Sequence, residues 1–271
     1  EIPCPALAMK RTPGQLDALR RAGLRAALMA ALVLAGLAAP ARAAADARAV
    51  LDEADAAYAA TNFQAAARLY EKALALGFHA GGVYYNLGNA YYRQGHLGKA
   101  IAAYLRARRL MPRDGDVLAN LYTARAQAED GVVPPEPPAA LRTFLFLHYY
   151  ASLDELLWAL GIMSAVLFLG MALHAFVPAR ALRTTAVIVA LLMLPLAAAA
   201  TAHYYTQFVA RTVVITADRA PVRAGYDTSY AEVFTLHAGT EARLLDRQGA
   251  WLKIELDRKR GWIQADDAEV L

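Results

Sequence analysis

Residues 81–114 read GGVYYNLGNAYYRQGHLGKAIAAYLRARRLMPRD. Tyr84, Leu87, Gly88 and Tyr91 recur three and four residues apart, and so do Ala100, Tyr104 and Ala107. That is the period of two amphipathic helices. Gly95 supplies a turn between them, and Pro112 stops the second helix. Moving 34 residues upstream matches Tyr104 to Tyr70, Ala100 to Ala66, Ala107 to Ala73, Leu97 to Phe63 and Leu110 to Leu76. The chain therefore carries a helix–turn–helix repeat over residues 47–80 and 81–114. Residues 115–130 add one more helix, read as a cap on the apolar edge of the second unit. Gly88 and Ala100 are small where paired helices approach closely, and Tyr91 and Tyr104 fill the space between helices.

This period and the set Tyr84, Leu87, Gly88, Tyr91, Ala100, Tyr104, Ala107 and Pro112 resemble the tetratricopeptide repeat (TPR). The first unit departs from the pattern: Ala54 and Ala57 stand where Gly and Tyr are usual, and Phe78 stands in place of Pro. In the TPR family the first helices of the repeats line a concave groove. The resemblance places Tyr85, Asn89, Tyr92 and Arg93 on that groove in the second repeat, and Arg48, Leu51, Asp55 and Tyr58 in the first. Two aromatics, an amide and an arginine suit an extended or helical peptide. The best-known TPR variant clamps a C-terminal carboxylate with lysines. Leu51 and Asp116 occupy those positions here, so that mode is not expected.

Outward from the repeats, hydrophobic residues make up 58% of the chain and charged residues 19%, an apolar excess over ordinary soluble domains. Two uncharged apolar runs account for it, predicting transmembrane helices over 155–177 and 184–206, each long enough for a hydrocarbon core of about 30 Å. The short link Pro178-Ala-Arg-Ala-Leu-Arg183 forces an antiparallel hairpin, and its arginines mark it as cytoplasmic. His148-Tyr149-Tyr150 precedes the first run and His203-Tyr204-Tyr205 follows the second. Both triplets then fall at one interface, and anchoring explains them better than a two-histidine metal site. Residues 1–43 read as an N-terminal extension and signal peptide, with a basic stretch, an apolar core and Ala41-Arg42-Ala43 as a cleavage pattern. They carry six Lys/Arg against two acids, and the rest of the chain balances at 22 of each. The basic pI of 9.2 is thus no argument for nucleic acid. The expected location is a bacterial inner membrane, with residues 44–154 and 207–271 periplasmic and the loop at 178–183 cytoplasmic.

A Pro-rich linker, residues 131–142, contains Pro-Pro-Glu-Pro-Pro and marks a boundary. The last 60 residues change to short β-prone runs punctuated by Gly225, Gly239, Gly249 and Gly261. Ala220-Pro-Val-Arg223, Phe234-Thr-Leu-His-Ala-Gly-Thr240, Gly249-Ala-Trp251 and Gly261-Trp-Ile263 resemble bacterial SH3-like domains. The surface candidates there are Tyr230, Trp251 and Trp262, with at least one Trp expected in the core. The fold expectation is a multidomain membrane protein: an all-α TPR superhelix (47–130), a two-helix transmembrane hairpin, and an all-β SH3-like small barrel (212–271).

The order of signal, TPR, Pro-rich linker, two spans and SH3-like tail is similar to that of the BatE proteins of the Bat aerotolerance group. The resemblance implies a scaffold in an envelope complex, with other membrane-bound Bat-type proteins as partners and a link to stress or aerotolerance. The alternative is peptidoglycan binding through the SH3-like domain. No catalytic, cofactor or metal site is expected. The one cysteine, Cys4, precedes Met9, and His79, His96 and His237 lie in different parts of the chain. Asp266 and Asp267 are adjacent, which in a strand points them apart rather than pairing them. Nucleic acid and small-molecule substrates are not expected partners.

Overall fold

The computed structural model describes residues 46–130, 138, 145–177, 179–206 and 211–271. The expected signal segment and nearly all of the Pro-rich linker lie outside the described residues. Residues 46–59 form α1, followed by α2 (Phe63–Ala75), α3 (Gly81–Arg93), α4 (Leu97–Leu110) and α5 (Gly115–Arg125). Asn62 caps α2 by accepting from the Ala65 N–H, and Asp114 caps α5 by accepting from the N–H groups of Asp116 and Val117. The turn into α4 uses Gly95 at φ +81°; the matching turn into α2 forces Thr61 to φ +59°. Tyr70 and Tyr104 are almost fully buried between their helix pairs. A Cβ on Gly88 would lie 2.6 Å from the Tyr104 ring, so only glycine admits that ring.

Two long helices follow the short α6 (Phe146–Tyr150): α7 (Leu153–Phe176) and α8 (Arg180–Tyr204). Ser152 and Glu155 cap α7 reciprocally, each side chain accepting from the other's backbone N–H. The helices pack on each other as an antiparallel hairpin, and α6 packs on α8. Both are long and apolar enough to cross a membrane, and they turn their side chains outward. Trp158 is 74% exposed and Phe176 85%.

The tail forms a seven-stranded antiparallel sheet ordered β3-β2-β6-β5-β4-β1-β7. Its strands are β1 (Thr212–Ile215), β2 (Arg219–Arg223), β3 (Glu232–His237), β4 (Glu241–Gln248), β5 (Trp251–Leu256), β6 (Lys259–Gln264) and β7 (Ala268–Val270). The expected closed barrel is not formed: β3 and β7 are the two ends of the order and share no ladder. Leu252, Ile254 and Ile263 make the centre of its apolar core with Val213, Ile215 and Val222.

The sheet docks against the repeats rather than standing apart from them. Side chains alternate along a strand, and β1 uses both faces. Val213 and Ile215 enter the sheet core, while Val214 joins the helical core beside Ile101 and Tyr104. All three are fully buried. Gly98 makes this approach possible, since a Cβ there would sit 2.1 Å from the Ile215 carbonyl oxygen. Polar contacts rim the junction. The Arg125 guanidinium donates from Nε and Nη2 to both carboxylate oxygens of Glu241 at 2.6 and 2.8 Å, with both side chains nearly buried. Arg106 pairs with Glu269 and donates to the Val270 carbonyl. The Asp130 carboxylate accepts from the His237 N–H and from Thr240, and meets His237 Nδ1 at 3.0 Å.

Candidate functional site

The groove is built from a polar ladder that repeats with the helices. Tyr70 on α2 donates its O–H to Asp55 on α1, and Asn86 on α3 donates to the same carboxylate oxygen. One repeat further on, Tyr104 on α4 donates to Asn89 at 2.8 Å, and Asn120 on α5 donates to the same Asn89 oxygen at 2.9 Å. Each rung ties a second helix to its own first helix and to the next one. Buried phenols need such partners. Burial pushes the Tyr70 hydroxyl well above its ordinary range, with Asp55 adding to the shift. Burial does the same to Tyr104, reinforced by the nearby phenols of Tyr85, Tyr58 and Tyr92.

These first helices leave a cavity of about 300 Å³ on the side lined by α1, α3 and α5. Tyr58, Tyr85, Asn89, Tyr92 and Arg93 line it, so five of the eight groove residues expected from sequence come together. Arg48, Leu51 and Asp55 are not among its lining residues: Leu51 packs against the helical core, and the Asp55 carboxylate is taken up by Tyr70 and Asn86. Tyr104 forms the floor, and Asn120 and Thr123 contribute from α5. The last two are missed when the groove is mapped on two repeats alone. The 34-residue register contains them, since Asn120 follows Asn86 and Thr123 follows Asn89 at that distance.

Arg93 is the sole charged residue on the cavity wall among the described residues. Its guanidinium lies 5.6 Å from the centre of the Phe63 ring, and it has no ion pair among the described residues. The Tyr58 ring meets the same Phe63 edge-on at 5.1 Å. Tyr85 accepts a hydrogen bond from Asn120 and Tyr92 accepts one from Gln127, so each phenol keeps its own O–H for another acceptor.

The sheet carries a second, smaller aromatic group. Tyr226 packs edge-on to Trp262 at 5.5 Å and lies 6.4 Å from Tyr230. Lys253, the register partner of Trp262, places its ammonium 5.6 Å from the indole centre. Trp262 is 7% exposed but stands outside the apolar core of the sheet, covered from the other side. Trp262 is thus a buried Trp, but on the face opposite the sheet's apolar cluster: the Leu252–Ile263 pair faces that cluster, and its neighbours Lys253 and Trp262 point the opposite way. Trp251 lies along the same outer face opposite Gln264, with no ring contact to the cluster. Tyr226 is absent from the sequence-based candidates because only the loop's fold brings it to Trp262. His79, His96 and His237 stay apart: His79 meets Tyr84, His96 meets the Tyr91 ring, and His237 meets Asp130. Among the described residues no group of His, Cys, Asp and Glu is arranged to hold a metal ion.

With this geometry in place, two family matches fall on the two folded parts. The tetratricopeptide repeat family matches residues 81–114. The bacterial SH3 domain family matches residues 218–269. No match was found among curated proteins. The helical part is thus similar to a class of protein-binding repeats, and the sheet to a class of small bacterial binding modules.

Proposed function

We propose that this chain is a membrane-anchored scaffold whose concave helical groove holds a protein partner. The observation that carries the reading is the cavity of about 300 Å³ on the repeat first helices, walled by tyrosines and by one arginine with no ion pair among the described residues. Aromatic and Arg side chains are the types that most often anchor protein interfaces. The sheet docks against α4 and the end of α5, which leaves the groove open. In this reading the two exposed apolar helices supply the anchor, and the arginines of their connection favour the cytoplasm for that end. Repeats and sheet would then share the periplasmic side, a reading that their packing against each other supports only as far as placing both on one side. The order of parts supports a Bat-type envelope complex, with membrane-bound proteins of that group as partners. The reading assigns the chain no catalytic step.

Tyr85→Ala combined with Arg93→Ala tests the proposal. The double variant should lose its partners on co-purification from native membranes while keeping its helical circular dichroism. Retention of every partner would refute it.

A second reading rests on the Tyr226–Trp262–Tyr230 cluster and on the bacterial SH3 match: the sheet holds cell wall. Sedimentation of the detergent-solubilised chain with purified peptidoglycan, with and without Tyr226→Ala, separates the two. Wall binding that depends on Tyr226 would favour the sheet as the principal site.

A further inference from the structure

The groove's chemistry narrows the partner beyond its being a protein, and this step rests on the groove reading above. Most polar groups of the cavity wall offer donors; Asn120 and Thr123, whose N–H₂ and O–H are spent on Tyr85, Asn89 and the Ala119 carbonyl, offer acceptors at the α5 side. Arg93 contributes guanidinium N–H groups with no carboxylate paired to them. Tyr85 and Tyr92 already accept from Asn120 and Gln127, so what they have left to give is an O–H. Asn89 spends its oxygen on Tyr104 and Asn120, which leaves its amide N–H₂ facing outward from the ladder. Among the described residues neither Asp nor Glu lines the cavity. The one acid that sequence placed here, Asp55, is withdrawn into the first rung with Tyr70 and Asn86.

A cation resting on an aromatic ring is stabilised without being neutralised. Phe63 thus holds the Arg93 charge in place and leaves its donors available. Arg93 also ends α3, where a helix favours positive charge. The surrounding Tyr58, Tyr85 and Tyr92 rings offer flat apolar faces on either side of the donors. The volume admits one side chain with parts of its neighbours, in the lower range of ligand pockets.

We infer that the groove recognises an extended partner segment carrying an internal acidic side chain, its carboxylate held by Arg93, Tyr85 and Tyr92 and its apolar neighbours on the tyrosine rings. The carboxylate is a side chain rather than a chain end, because the wall offers a single cation. A doubly gripped C-terminus needs a second cation from a neighbouring repeat, and Leu51 and Asp116 stand at those places.

Selection of random dodecapeptides displayed away from a free C-terminus, on the full detergent-solubilised chain, tests this. The selected pool should be enriched in Asp or Glu at one fixed position flanked by apolar residues. A synthetic, acetylated and amidated representative should lose at least tenfold in affinity when that acid becomes Gln. The penalty should vanish in Arg93→Gln, which should keep the parent's melting temperature, and should be partly retained in Arg93→Lys. A pool without acidic enrichment, an acid-to-Gln change without effect, or the full penalty persisting in Arg93→Gln would overturn the inference. Tight binding only by peptides with a free C-terminal carboxylate would also overturn it. Failure of the underlying groove reading shows differently: selected peptides would then bind the Tyr85→Ala, Arg93→Ala variant as well as they bind the parent.

Discussion

The two helical repeats share one plan and differ in what they carry. Both hold a buried Tyr, Tyr70 or Tyr104, bonded back to the first helix at Asp55 or Asn89. Beyond that the second repeat is specialised. Where the first has Ala54, Thr61 and Gln64, the second has Gly88, Gly95 and Gly98. Gly88 accepts the Tyr104 ring, Gly95 takes the left-handed turn without strain, and Gly98 lets the sheet come down on α4. The first repeat is a packing partner. The second is a junction, with the groove on one side and the sheet on the other. Three small residues at fixed places separate a spacer from a hub.

Converting the second repeat toward the first breaks this comparison, and Gly98→Gln should break it most. Gln64 at the matching place is exposed, whereas a Cβ at position 98 runs into the backbone of Ile215. Backbone cannot step aside as a side chain can. We expect a loss of about 3 kcal/mol, the upper part of the overpacking range, seen as a lowered melting temperature. Hydrogen exchange should rise in β1 and β7 before it rises in α2. Unchanged protection of β1 would contradict the docking.

Gly88→Leu comes next. It drives a side chain into the Tyr104 ring and should cost about 2 kcal/mol. The change tests the register on which the groove assignment depends, and an unaltered melting temperature would undo it.

The ladder separates the repeats more finely. Tyr70→Phe removes a bond to a carboxylate, worth about 1.5–3 kcal/mol, and Tyr104→Phe removes one to a neutral amide, worth about 0.5–1.5 kcal/mol. Chemical denaturation of both variants should therefore rank Tyr70→Phe as the more damaging. The reverse order would mean that the Asp55 rung is not formed as described.

A smaller effect concerns pH at the junction. The hydrogen bond to Asp130 raises the His237 pKa despite some desolvation, with Glu129 adding and Arg219 opposing. Burial works against the Asp130 carboxylate, but hydrogen bonds from Thr240 and His237 outweigh it and hold its pKa below the usual range. The raised group supports docking fully below the ordinary His pKa of about 6.5 and loses that support as pH climbs through its raised value. The depressed group supports docking above the ordinary Asp pKa of about 4 and loses it as pH falls through its lowered value. Docking should be firmest between these two limits. Melting curves should show a decline on the alkaline side that His237→Gln abolishes; a decline of equal size in that variant would assign it elsewhere.

Much of this architecture is written in local patterns. The 34-residue spacing gives the helix pairs, and the uncharged runs give the two long helices. Five groove residues follow from the resemblance to the repeat family, and helical register brings Tyr85, Asn89 and Tyr92 to one face. Asn120 and Thr123 were equally within reach, one repeat further on. The docked sheet was harder. Its signal is the unbroken run Val213-Val-Ile215, which lacks the alternation of a strand with one wet face and so calls for cover on both. A second signal is Gly98 on a helix whose counterpart carries Gln64. Neither says what the cover is, since that depends on contacts between residues more than a hundred positions apart, such as Arg125 with Glu241. The Tyr226–Trp262 contact is lost to sequence reading because it depends on how the loop carrying Tyr226 folds back over the sheet.

The central claim is that partner contact runs through the groove of the repeats. Thr123 lines that groove without belonging to the buried core, and Trp251 lies on the outer face of the sheet. A photo-crosslinking amino acid placed at each of these positions in turn, irradiated in intact membranes, reports which surface a partner touches. A discrete crosslinked protein is expected from position 123 and none from position 251. A partner captured from position 251 and not from position 123 would contradict it.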